Sequence, residues 1–138
     1  MFLKTEKFEW NGTSVTLHEL SALQRIEHLE YLKKIESIKE GDFQTAMSVT
    51  INTAAFIIAM SLWHEHKLKG SVPGNVSEEV AAIQNEVIAT WPTDAIATAD
   101  YKIKLLSGMI IPVEDSNDKP GDSEPPEPVT AEKPLPVS

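Results

Sequence analysis

Between Phe43 and Trp63 the chain carries no charged side chain. An apolar run of this length approaches the roughly 20 residues that cross a bilayer. It therefore forces a choice between a membrane span and the interior of a helical domain. Gln44, Thr45, Ser48, Thr50, Asn52, Thr53 and Ser61 are scattered through the run, and basic anchors at its ends are weak, so a span is not expected. The pattern instead predicts a helix over about 43–66 that is apolar all round, as at the buried centre of a bundle.

Residues 2–9 and 13–17 predict two short strands, joined by Asn11-Gly12, the residue pair favoured in a two-residue hairpin turn. A lone hairpin is marginal in water, so it is expected to lie on the helices. A first helix is predicted from Thr16, whose hydroxyl can cap while Glu19 completes a capping box. Leu17, Leu20, Leu23, Ile26, Leu29, Leu32, Ile35 and Ile38 then recur every third residue. At about 100° per residue this spacing slips backwards by roughly 60° each step. The stripe thus winds around the helix, which calls for cover on more than one side, from the fold itself or from a partner.

Gly41-Asp42 closes that helix and caps the next. The loop at 69–74 is marked by its glycines and proline, and Ser77 with Glu78 and Glu79 is expected to open a third helix. Val80, Ile83, Val87, Ile88 and Trp91 form its amphipathic stripe, and Pro92 stops it. Thr93 is expected to cap a fourth helix with Ile96, Ala99, Ile103 and Leu106 on its buried side, ending at Gly108. The fold class is therefore mainly α: an N-terminal β-hairpin followed by a bundle of about four helices in a domain over 1–111.

After Ile111 the composition changes. Seven of the nine prolines lie in 112–138, where seven carboxylates face two lysines. Without an aromatic residue, this acidic tail is expected to be disordered, since it cannot bury enough surface to offset its ordering entropy. The whole chain has a net charge of −9 and a single arginine, Arg25. A nucleic-acid partner, which requires clustered cations, is not expected. The opening Met1–Glu6 stretch has an acid and no apolar core, so a secretory leader is not expected either.

Residues that could carry chemistry are scarce. The chain has no cysteine, hence no disulfide or thiolate site. In His64-Glu65-His66, imidazoles two apart on a helix point about 200° apart and cannot share one ion. His18 and His28 are expected on helix surfaces. No phosphate loop and no nucleophile elbow occurs, and Glu78 with Glu79 reads as helix capping. No enzyme, cofactor or metal is expected. What remains is surface: Trp10 and Trp63, as aromatic anchors, and Leu23, Ile26, Leu29 and Leu32, as the open part of the winding stripe, are the candidate partner-binding residues.

Several stretches read together resemble one family. They are Phe2-Leu3-Lys4-Thr5-Glu6, Val15-Thr16-Leu17, the segment Glu19–Leu29, and Ala59–His64 with His66. Thr90-Trp91-Pro92-Thr93 with Ala95-Ile96, Leu106-Ser107-Gly108-Met109 and the final Val137-Ser138 join them. This set is similar to the lambda-type minor tail protein G, a tail assembly chaperone of long-tailed bacteriophages. The resemblance implies a protein of the host cytoplasm that binds the tape measure protein, keeps it soluble and helps tube subunits polymerise around it. It implies absence from the mature virion; the alternative is a structural minor component of the tail. It also implies a longer product made by −1 ribosomal frameshifting, which would bring in the tail tube protein. In the family pattern the slip lies over a Gly-Lys pair, and the matching position here is Glu132-Lys133. A homo-oligomer is compatible with all of this.

Overall fold

The computed structural model describes residues 2–36 and 41–111. Strands β1 (Thr5–Trp10) and β2 (Thr13–His18) precede helices α1 (Ala22–Ile35), α2 (Phe43–Trp63), α3 (Val76–Thr90) and α4 (Thr93–Leu106). The mainly α class with an N-terminal hairpin and four helices is thus as the sequence predicts. The expected tail lies outside the described residues.

The strands pair antiparallel, from Thr5 opposite His18 to Trp10 opposite Thr13. Asn11 (φ 50°) and Gly12 (φ 82°) both lie in the left-handed region, as the turn matching strand twist requires. Phe8 and Leu17 are buried from the hairpin, and Leu20 is buried just after it. They meet the C-terminal half of α2, where Ala55, Ile57, Ile58, Ala59 and Met60 are all fully buried. Val80, Ile83 and Val87 of α3 and Ala95, Ile96, Ala99 and Ile103 of α4 complete the core. The predicted stripes of both late helices are those that face inward.

β1 starts at Thr5, not residue 2, and each strand runs one residue further than expected; four helix boundaries also differ, each for a local reason. Thr16 belongs to β2, where it pairs with Lys7, so α1 starts at Ser21 instead. Ser21 Oγ accepts from the Gln24 amide at 3.2 Å while Gln24 Oε1 accepts from the Ser21 amide at 3.1 Å, a complete capping box. Leu17 and Leu20 therefore leave the helical stripe, and Ile38 falls outside the described residues. Asn75, not Ser77, caps α3, its Oδ1 accepting from the Glu78 amide at 3.0 Å. Pro92, not Thr93, occupies the N-cap of α4, without a side-chain cap. α2 ends at Trp63, so His64-Glu65-His66 lies in the turn beyond it.

The larger correction concerns α2. It is long and apolar enough to cross a membrane by length and composition, yet only 33% of its most apolar stretch is buried. The buried centre expected for the whole run is confined to 55–61. From Phe43 to Thr50 the helix is mostly exposed.

Candidate partner-binding surface

α1 is attached to the body by its polar side. Gln24, His28, Tyr31 and Ile35 lie within about 60° of one another around the helix, and Gln24 and His28 are buried. The Gln24 amide nitrogen donates to the Met60 carbonyl at 2.8 Å, one of the last-turn carbonyls that a helix leaves without an internal partner. Its Oε1 accepts from His64 Nε2 at 2.9 Å. Arg25 reaches the Ser107 carbonyl at 3.0 Å, and Tyr31 stacks on Phe56 with ring centroids 4.5 Å apart. Burial, with Lys104 and Arg25 nearby, lowers the His28 pKa; Asp100 opposes that shift.

Beneath α1 the polar packing continues. His18, expected on a surface, is fully buried, because β2 extends through it and seats it against α2. Ser61 Oγ accepts from the His18 amide at 2.6 Å and donates to the His18 carbonyl at 2.8 Å. His18 Nε2 meets Glu65 Oε2 at 3.0 Å, and the His64 ring lies 5.3 Å from that of His18. Burial first, then His18 and Lys69, push the His64 pKa down to about 4. His28 is likewise not the surface residue expected, since it sits on the face of α1 that the fold covers.

With Gln24 and His28 inward, α1 turns four of its large apolar residues outward. Leu23 is 63% exposed, Ile26 53%, Leu29 64% and Leu32 37%. The drift of the every-third spacing sweeps these four across the half of the helix opposite Gln24 and His28. The fold thus supplies cover on one side only, and the four predicted positions lie open together. On α2, Phe43 and Met47 are 77% and 45% exposed. Around the helix they lie within about 60° of Ala54, Ile58 and Ser61, so one apolar face runs from the core into solvent. Sequence reading missed these two residues; their four-residue spacing, in line with the core positions, was the available signal.

The two tryptophans have other surroundings. Trp63 is half-buried, its indole N–H donating to Glu79 Oε1 at 2.8 Å, with Lys69 Nζ 4.7 Å from the ring centre. Glu79 is buried and is no capping residue. Donation from the Trp63 indole, then from the Val72 and Gly70 amides, lowers its pKa. Trp10 stacks on Phe8 at the hairpin tip, 6.0 Å between centroids. Among the described residues no hydrogen bond or ring contact links either to the α1 stripe. His66 turns to Glu86 at 3.1 Å, away from His64, and no group of three metal-ligating side chains gathers among the described residues. Glu132 and Lys133 lie outside the described residues.

A small helical domain that exposes two apolar helix faces, and holds one of them out by polar anchoring, belongs to the class of binding and holding proteins. The particular family follows from comparison. The family described as the bacteriophage lambda tail assembly chaperone, protein G, matches residues 1–127, and the chain belongs to it. The tail assembly protein G of Escherichia phage N15 is 61% identical over 140 residues, covering all of both chains. That of Escherichia phage lambda is 48% identical over 136 residues, 96% of each. The tail assembly protein GT of phage N15 is 59% identical over 137 residues, and this chain spans 55% of its length. No solved structure matches.

Proposed function

We propose that this chaperone binds a tape measure protein in the host cytoplasm through the outward face of α1 and the open half of α2. It keeps that long partner soluble while tube subunits polymerise around it, and it is left out of the mature virion. The observation that carries this reading is the exposed row Leu23, Ile26, Leu29 and Leu32, on a helix whose two buried residues, Gln24 and His28, are polar. Leaving a row of large apolar side chains in water is unfavourable by about 25 cal/mol per Å². A helical partner with its own apolar stripe would recover that free energy. The net charge of −9 keeps the loaded complex soluble. The GT relatives, about twice as long as this chain, support a second product. We assign it to a slip near Glu132-Lys133, with the appended part recruiting the tail tube protein.

Coexpression with the tape measure protein tests the central claim. The wild type is expected to hold the partner in the soluble fraction and co-purify with it, while Leu23→Ser/Leu29→Ser loses it with unchanged helical circular dichroism. A tape measure protein equally soluble alone overturns the reading. Blotting infected cells for the shared N-terminus is expected to reveal a larger minor band that disappears when the codons for 132–133 are recoded. Mass spectrometry of purified particles is expected to find neither form; stoichiometric recovery would make the chain a virion component.

A further inference from the structure

A second surface, away from α1, has a different chemistry. Trp10, Phe8 and Trp91 form a continuous stack, with centroids 6.0 and 5.9 Å apart and planes inclined by 24° and 14°. These rings, with Val15, Pro92 and Ala95, line an open cleft of about 400 Å³ where the hairpin meets the corner between α3 and α4. No charged residue lines it. Trp63 gives its indole N–H to Glu79, whereas the indole N–H groups of Trp10 and Trp91 make no hydrogen bond among the described residues. The cleft therefore offers aromatic walls and no fixed charge, and it is lined by two tryptophans whose indole N–H groups have no partner among the described residues.

Such a site fits a ligand that presents apolar rings and unsatisfied carbonyls. A polyproline II segment is that ligand: its pyrrolidine rings pack on aromatic faces, proline supplies no backbone donor, and its carbonyls point outward without internal partners. The chain's own sequence offers a proline-rich candidate in Pro125-Pro126-Glu127-Pro128. In a conformation with three residues per turn, Pro125 and Pro128 would share one edge, while Glu124 and Glu127 would share another and stay in water.

The tether is long enough. Thirteen residues separate Ile111 from Pro125, and at about 3.1 Å each they span about 40 Å. The return from the end of α4 to Ala95 in the cleft wall covers only about 17 Å of helix. A flexible connection of this size holds its end at roughly millimolar effective concentration, so a weak intrinsic affinity suffices. We infer that the Pro125–Pro128 segment docks in the Trp10–Phe8–Trp91 cleft of its own chain, folding the tail back onto the hairpin side of the domain. This inference does not depend on the tape measure reading.

Amide and indole proton–nitrogen correlation spectra of the full chain test it, against the full chain carrying Pro125→Ala, Pro126→Ala and Pro128→Ala. The indole signals of Trp10 and Trp91 are expected to shift between the two proteins, while that of Trp63 stays in place. A peptide covering 122–130, added to the triple variant, is expected to return both signals towards the wild-type positions; its alanine-substituted counterpart is not. The wild-type positions are expected to be unchanged on tenfold dilution and in high salt. Identical indole spectra for the two proteins would overturn docking. Positions that move with dilution would place the segment in another copy's cleft and overturn the assignment to its own chain.

Discussion

The two halves of α2 present the same helix face to opposite surroundings. Ile58 and Ser61 are sealed beneath β2, α3 and α4, while Phe43 and Met47, in line with them, project into solvent. Neither half contains a charge. What separates them is where their neighbours end, not what they are made of. The comparison teaches that apolar character states what a face can bury, and that the length of the packed elements decides how much of it the fold uses. The unused portion is available to a partner.

Stability measurements can break this contrast or sharpen it. Ile57→Ala, in the sealed half, is expected to cost about 2–5 kcal/mol, the range for a large buried side chain cut to alanine; a urea unfolding curve checks it. Ser61→Ala is expected to cost about 1–3 kcal/mol, because it leaves the buried amide and carbonyl of His18 without their partner. A loss below a few tenths would mean that water reaches the clamp.

Acid is expected to loosen the same end. His64 takes up its proton near pH 6.5 when unfolded but only at about 4 when folded. Between these values the unfolded state binds more protons, so this contribution is complete above about pH 6.5 and is lost as pH falls towards 4. The lowered pKa of His28 acts in the same sense. His64→Gln is expected to flatten the stability profile in that window by at most about 1.4 kcal/mol per pH unit. Equal slopes in the two proteins would remove His64 from the account. The smallest change belongs to the open half: Phe43→Ser is expected to alter the unfolding free energy by no more than about 0.5 kcal/mol. A loss of several kcal/mol would show that Phe43 is core after all.

Much of this architecture was legible in the residues. Asn11-Gly12 marked the hairpin, and the stripes of α3 and α4 fell where the core lies, because both follow local rules of turn geometry and helical period. The start of α1 was misplaced because two capping boxes compete within a few residues, and only the pairing of Thr16 with Lys7 decides between them. The winding of the α1 stripe was legible too, but not which side the fold would cover. That depends on Gln24 reaching Met60 and Arg25 reaching Ser107, contacts across 36 and 82 residues. An apolar pattern carries no record of a helix held by its polar side. The burial of His18 was hidden for the same reason, since its partner Ser61 is 43 residues away.

No glycine or proline interrupts α2 between Phe43 and Trp63, so its hydrogen-bonded ladder runs unbroken for about 30 Å. Mechanically, such a helix is a lever. A load applied at Phe43 acts about 20 Å from Ile57, and it arrives as torque at the point where Ser61 grips the end of β2. Whatever pulls on the free arm therefore tests the fulcrum, and the pair of hydrogen bonds between Ser61 and the His18 backbone is the bolt that holds it.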